Sequence, residues 1–395
     1  MAGAWDMAFL LAAVLLFATA LATTSDDQFG RLAWQHGFTD NVEARPAVGL
    51  VNGKEEVFVG TYGDGVFALS SDNGKQLIKP FYSNNIIRSS PAIYTDPATG
   101  ISTLFVLSDD GLFYAVDCST LAKKWSFNSG APAGSLASSS PALYEAGQKT
   151  LVYFGSIDGN IYALNLSGDK VWSFQTDDAV FASPAVVLVN NSHPLVVVGS
   201  DDTYVYGLDG LTGEQLWIFS TDDRVRGSAA FLPMNATKDN GNRTIVYIGS
   251  NDGNLYAIDA ISGSALFNVS TKGPVYSTPV VHVKDQSSAT VYFGSYDDNV
   301  YAIDALTSAV QWKFTTRDNV IASPIIITNS TSVSLYVGGE DQMFYAIDGL
   351  TGKKLWQYVV QAPIWCTAAV VSSVHGPLVV FGSQGQGVFA LKTVL

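Results

Sequence analysis

Residues 335–358 read LYVGGEDQMFYAIDGLTGKKLWQY. LYVGG is a short apolar run rich in β-branched and aromatic residues, the composition of a buried strand. Glu340-Asp341 makes a polar turn, and MFYAID after it is a second strand ending in Asp348. Leu350-Thr351-Gly352 is a second turn, and KKLWQY alternates polar and apolar as a half-exposed strand does. No 3.6-residue period runs through the segment, so it is not helical.

The same pattern recurs along the chain. It reads VFVGTYGDGVFALS from Val57, LFVLSDDGLFYAVD from Leu104, VYFGSIDGNIYALN from Val152 and VVVGSDDTYVYGLD from Val196. It continues as VYIGSNDGNLYAID from Val246, VYFGSYDDNVYAID from Val291 and VVFGSQGQGVFALK from Val379. Its glycine falls at 60, 155, 199, 249, 294, 338 and 382, with Leu107 in that place in the second copy. Each copy is preceded by a short apolar run, entered in several copies through a Ser-Pro step such as Ser89-Ser90-Pro91 or Ala182-Ser183-Pro184. Four strands per copy at a period near 45 residues predict radial repetition, a β-propeller, rather than a helical solenoid. The expected fold is therefore all-β: an eight-bladed β-propeller of four-stranded antiparallel blades. The eighth copy stops after its third strand near Leu391, and RLAWQH at 31–36 matches KKLWQY. The N-terminal segment is thus expected to supply the missing outer strand and close the ring.

Composition agrees and narrows the function. Of 395 residues, 47% are hydrophobic, 12% aromatic and 14% charged, against roughly 25% charged in an average globular protein. That excludes a disordered chain and a charged coiled coil. With 21 Lys+Arg and 35 Asp+Glu the formal charge is −14, which argues against a nucleic-acid partner. Met7–Ala22 is a 16-residue apolar stretch ending in Ala20-Leu21-Ala22, shorter than the ~20 residues of a membrane-spanning helix. It reads as a signal peptide over 1–22, with 23–395 a single propeller; the alternative is an uncleaved anchor, since the segment before it lacks Lys and Arg. Cleavage implies a secreted or secretory-lumen protein, periplasmic if bacterial, with no membrane span left.

Trp125, Trp172, Trp217, Trp312 and Trp356 share one position in the copies, and Trp34 is expected to share it in the closing blade. Phe267 and Ile78 stand there in the remaining two. In four copies an Asp lies eight residues earlier: Asp117, Asp209, Asp304 and Asp348. The pattern xYAxDxxTGKxxW resembles the tryptophan-docking repeat of pyrroloquinoline-quinone (PQQ) type propellers, the family of quinoprotein alcohol dehydrogenases and of the propeller lipoprotein of the bacterial outer-membrane assembly machinery. The resemblance spans residues 31–391. It implies that these aromatics pack against the neighbouring blade and are structural, and it is specific for fold rather than function.

In such a ring one face carries the loops between strands one and two and between three and four. Of six Asn-x-Ser/Thr sites, Asn165, Asn190, Asn235, Asn242 and Asn329 map to that face and Asn268 does not. Glycans there would leave the opposite face free. The free face holds the acidic loop residues Asp40, Asp177, Asp178, Asp222, Asp223 and Asp318. At its channel mouth, just before the inner strands, stand Glu43, Arg88, Ser138, Phe181, Arg226, Tyr276, Ile321 and Trp365. Glu43, Arg88, Phe181, Arg226, Tyr276 and Trp365 are the candidate binding residues, because aromatics and Arg are enriched at binding hot spots. The competing reading is that they plug the channel, with either arginine paired to Glu43 or a loop Asp.

Catalytic members of the resembled family hold PQQ with a calcium site and often a disulfide between adjacent cysteines. Here Cys118 and Cys366 are far apart in sequence, and no CxxCH haem motif occurs. His36, His193, His282 and His375 have no metal-ligand spacing. The favoured expectation is a non-enzymatic monomeric scaffold, without metal or cofactor, for a protein or peptide partner of basic character. The alternative is a PQQ- and calcium-dependent oxidoreductase or another propeller enzyme.

Overall fold

Apolar residues at a two-residue period build 32 strands, grouped in eight antiparallel four-stranded sheets. The computed structural model describes residues 29–393 except 64, 135, 137, 147–148, 190–192, 234, 238–242 and 286–287. The expected signal peptide and the sequons at Asn190 and Asn242 lie outside the described residues. Among the described residues no helix is long and apolar enough to cross a membrane. Seven sheets run inner to outer in chain order; in blade 7 these strands are Ile325–Thr328, Val333–Gly338, Met343–Asp348 and Lys354–Val359. The second and third strands are almost wholly buried, and their side chains interdigitate between neighbouring blades.

Ring closure is as expected. Leu32–His36 pairs antiparallel with Gly387–Lys392 and becomes the outer strand of blade 8, whose inner strands are Ala369–Val371 and Leu378–Ser383. Trp34 stands opposite Ala390, as Trp356 stands opposite Ala346.

The recurring tryptophans sit at the junctions between blades. Five of the six indole N–H groups donate to a carbonyl in the next blade's turn between strands three and four. Trp34 bonds Ser71, Trp125 bonds Leu166, Trp172 bonds Gly210, Trp217 bonds Ala260 and Trp312 bonds Gly349, at 2.8–2.9 Å. The ring also lies flat on a glycine of that turn. At Gly263, φ is +69° and an added Cβ would come within 2.7 Å of Trp217, so both backbone and space demand glycine. Gly168, Gly213 and Gly352 play this part under Trp125, Trp172 and Trp312. Where the docking residue is smaller, the glycine is gone: Leu121 (φ 52°) follows Ile78 and Ser308 (φ 63°) follows Phe267. Leu121 packs in one cluster with Ile78, filling the space an indole would take. Trp356 rests on Gly30, which leads into the closing strand, and its buried Nε1 has no partner among the described residues. At this junction the outer strand comes from the other end of the chain, so no turn supplies the carbonyl.

Blade 1 departs from the pattern. Its outer strand is only Phe81–Tyr82, plus an isolated bridge between Leu69 and Gln76. Pro80 lacks the N–H a ladder needs, and Ile78 packs as a half-buried side chain outside any strand.

The repeated Asp of the turns between strands two and three is also structural. Asp110, Asp158, Asp202, Asp252, Asp297 and Asp341 accept a hydrogen bond from the Tyr four residues on, at 2.5–2.7 Å. Five of them, all but Asp158, also accept a backbone N–H from the preceding blade's loop, at 3.0–3.1 Å. These turns therefore fasten blade to blade.

Candidate functional site

The central channel encloses about 1180 Å³ and is lined by one short segment from every blade. The hydrophobe two places inside the end of each loop fixes that segment's position. Val225 packs on Gly199, where an added Cβ would lie 2.2 Å from its Cγ1, and Val180, Val275, Val320, Ile364 and Val42 do the same on Gly155, Gly249, Gly294, Gly338 and Gly382. This contact explains the glycine that marks each repeat. The next residue along points into the mouth. Glu43, Arg88, Ser138, Phe181, Arg226, Tyr276, Ile321 and Trp365 all line the cavity, so the sequence-derived ring is brought together.

Its charged members are engaged with each other and with a second ring from the turns between strands two and three. Arg88 donates to Asp109 at 3.0 Å, lies 3.9 Å from Glu43, and stacks over Tyr62 with 4.2 Å to the ring centre. Tyr62 donates to Glu43 and accepts from Arg88. Gln384 donates to Glu43 at 3.2 Å. Burial raises the Glu43 pKa above its ordinary value, with Arg88 opposing. Arg226 grips both oxygens of Asp201, at 2.8 and 2.6 Å, and its guanidinium covers the Phe181 ring at 4.5 Å. That hydrogen bonding raises the Arg226 pKa despite its burial. Tyr276 packs at a tilt against Tyr296, with centroids 4.9 Å apart, and accepts from Asn251. Thus the pairing foreseen as the competing reading is present for both arginines. Trp365 differs: it is 38% exposed, whereas Trp34, Trp172 and Trp217 are 6–7% exposed.

One layer deeper, two residues past the mouth ring, stand Ser90, Ser140, Ser183, Ser228, Thr278, Ser323 and Thr367, with Arg45 in blade 1. Backbone N–H groups of Arg45, Ser90, Ser140, Ser228 and Thr278 donate to the next blade's hydroxyl at 2.8–3.3 Å. The sequence reading missed Arg45, although the repeat carries its signal: the Ser or Thr at this step is Arg in one copy of eight.

The remaining candidates are placed as follows. Asp177, Asp178, Asp222, Asp223 and Asp318 are exposed around the mouth. Asn165 ends a third strand, and its side chain accepts from Ser167 and Asp169 at 2.9 Å. Asn235 and Asn329 lie in loops between strands one and two, and Asn268 is exposed on an outer strand. Cys118 and Cys366 are buried free thiols. Cys366 sits three residues before its inner strand and exchanges hydrogen bonds with Gly382.

A calcium–quinone pair would need convergent free oxygens at the mouth. The donors present do not fit. Arg226 occupies both Asp201 oxygens, Arg88 and Tyr62 engage Asp109 and Glu43, and Glu340 accepts from Asn319 at 2.6 Å. Among the described residues no group of three or more His, Cys, Asp or Glu converges to share a cation.

Comparison with known proteins gives one family match and several fold matches. The family described as "Outer membrane protein assembly factor BamB" matches residues 20–200, 146–291 and 283–393. No curated protein matches the sequence. Among solved structures, Sqt1 of Saccharomyces cerevisiae is 14% identical, with TM-score 0.73, over 93% of this chain and 99% of that one. The computationally designed Ika8 protein is 16% identical, with TM-score 0.68, over 92% and 99%. The quinohemoprotein alcohol dehydrogenase of Comamonas testosteroni is 14% identical, with TM-score 0.68, over 91% of this chain and 76% of that one. These likenesses carry the fold alone, which an enzyme and other propellers share.

Proposed function

The chain belongs to the family of PQQ-type propeller repeats described as outer membrane protein assembly factor BamB, and from that premise we propose that it is a secreted or lumenal, non-enzymatic interaction propeller. Its channel-mouth face receives a protein or peptide partner, and the monomeric ring works without metal or quinone. The observation that carries this reading is Trp365, a large aromatic left 38% exposed in the mouth of a concave face. Exposed Trp in such a setting is the composition of a binding hot spot. The exposed acidic loops around it favour a basic partner and act mainly on its rate of arrival. The mutual engagement of Glu43, Arg88, Asp109, Arg226 and Asp201 supports the reading over the oxidoreductase alternative, since a reacting acid, base or cation ligand would have to leave a partner first.

The test is affinity capture from the native compartment with the unaltered protein and with Trp365→Ala side by side. The proposal expects a partner retained by the first and lost from the second. Partners indifferent to Trp365→Ala, but lost when residues around Asn235 or Asn329 are changed, would place the functional surface on the other face. The amino terminus of the natural protein tests signal cleavage: Thr23 supports it, and an intact leader refutes it in favour of an anchor.

A further inference from the structure

We infer that the hydroxyl ring inside the channel, with Arg45 at its one irregular position, binds a small oxyanion bearing a carboxylate or phosphate group. This goes beyond the proposed partner face, because it concerns the layer beneath the mouth and does not depend on what covers the mouth.

Position is the first argument. In seven blades the residue two places past the mouth is Ser or Thr, and the repeat places it at one level. Arg45 occupies that level in blade 1, and its own N–H donates to Ser90 Oγ at 2.9 Å as part of the same interblade stitching. Its side chain is therefore held by the repeat to the lumen of the channel, which it lines.

Charge is the second. Among the described residues no Asp or Glu pairs with the Arg45 guanidinium and no acceptor takes its side-chain N–H groups. Glu43, the acidic residue nearest in sequence, is engaged with Arg88, Tyr62 and Gln384 instead. Arg45 is exposed to solvent in the lumen, and the channel walls around it lower its pKa. It stays protonated all the same, because guanidinium does not lose its proton in proteins. A lumen-facing guanidinium with no protein counter-charge among the described residues is open to a charge-assisted, bidentate contact with an anion.

Hydrogen-bonding capacity is the third. Ser90, Ser140, Ser183, Thr278 and Ser323 each accept a backbone N–H through the hydroxyl oxygen, and among the described residues none donates its own O–H to a protein acceptor. Those protons and the guanidinium fork are donors facing one space. Such a set matches the acceptor-only chemistry of carboxylate and phosphate oxygens. The cavity, about 1180 Å³, is large enough for a small organic anion.

The test is calorimetric titration of the purified protein in low-chloride Hepes at pH 7, with citrate and inorganic phosphate as separate probes. Arg45→Ser, which gives blade 1 the residue of the other blades, serves as the control, with its fold checked by circular dichroism. Saturable binding of either probe, weakened at least about tenfold by Arg45→Ser and partly kept by Arg45→Lys, is the expected result. Binding of citrate alone assigns a carboxylate ligand and of phosphate alone a phosphorylated one. No saturable binding of either probe, or equal binding by Arg45→Ser, overturns the inference.

Discussion

Trp217→Ala measures what holds the blades together. Trp217 is 6% exposed, lies against Gly263 of the next blade and donates to the Ala260 carbonyl at 2.8 Å. Burying roughly 200 Å² of indole at about 25 cal/mol/Å² stabilises by at most ~5 kcal/mol. Truncation also leaves the Ala260 carbonyl without its donor, a further ~1–3 kcal/mol where water cannot reach it. Partial collapse of the site returns some of this, so the expected loss is ~3–5 kcal/mol, in the range of large aromatic truncations in cores. Trp217→Phe keeps most of the contact area and loses the hydrogen bond, for ~1–2 kcal/mol. The pairing of docking residue with turn residue adds a sharper control. Phe267 faces a turn whose corresponding position is Ser308, not glycine. Phe267→Trp alone should overpack the junction and cost ~1–3 kcal/mol, whereas the double change with Ser308→Gly should recover most of it. Equilibrium urea unfolding followed by tryptophan fluorescence and by circular dichroism reads all four proteins. A Trp217→Ala loss below about 1 kcal/mol, or no coupling between positions 267 and 308, would refute the docking argument.

Three further outcomes follow from the same structure. Deleting residues 29–38 removes the outer strand of blade 8, together with Gly30 and Trp34; the truncated chain should unfold at markedly lower urea, and an unchanged midpoint would contradict closure. Asp209 is held below the ordinary carboxylate value: burial pushes its pKa up, but the N–H groups of Thr212 and Leu211 and the His193 side chain outweigh it. Asp117 and Asp297 are lowered in the same manner. Their contribution is fully present above the unfolded value near 3.8 and is lost as pH falls through the folded values. The melting temperature should therefore drop below about pH 4 and less so in Asp209→Asn, and a pH-independent melt between 7 and 3 would contradict it. Burial pushes the Cys118 and Cys366 thiols up to about 12, so iodoacetamide at pH 8 should label neither until the ring unfolds; rapid labelling of either in the native protein would contradict their placement.

How far the sequence revealed the molecule depends on what repeats. A residue type recurring once per blade is visible as a period, so the ring, the docking tryptophans and the mouth positions could be located before any coordinate. The closing strand was legible because RLAWQH repeats KKLWQY. Partners across blades were not legible, because the two ends of each contact lie about a repeat apart and pairing depends on the angle between sheets. Hence Asp202 reads locally as a turn residue, while in space it ties Tyr206 to the backbone of Asp177. The same limit applies to Arg88 and Arg226, whose residue type suggests an exposed hot spot and whose carboxylate partners come from the turns of their own or a neighbouring blade. Arg45 went unread for the opposite reason. It is an exception to a repeat, and its meaning appears only when the other seven hydroxyls are seen to share its level. Blade 1 has only a two-residue outer strand because Pro80 breaks the ladder that the repeat pattern would otherwise continue.

The most direct measurement of the central claim, that the channel-mouth face is the functional surface, is hydrogen exchange of the protein alone and bound to its captured partner. Slowed exchange is expected in the loops that carry Phe181, Arg226 and Trp365, with the loops holding Asn235 and Asn329 unchanged. Protection confined to the Asn235 and Asn329 loops, with the mouth exchanging as in the free protein, would contradict it.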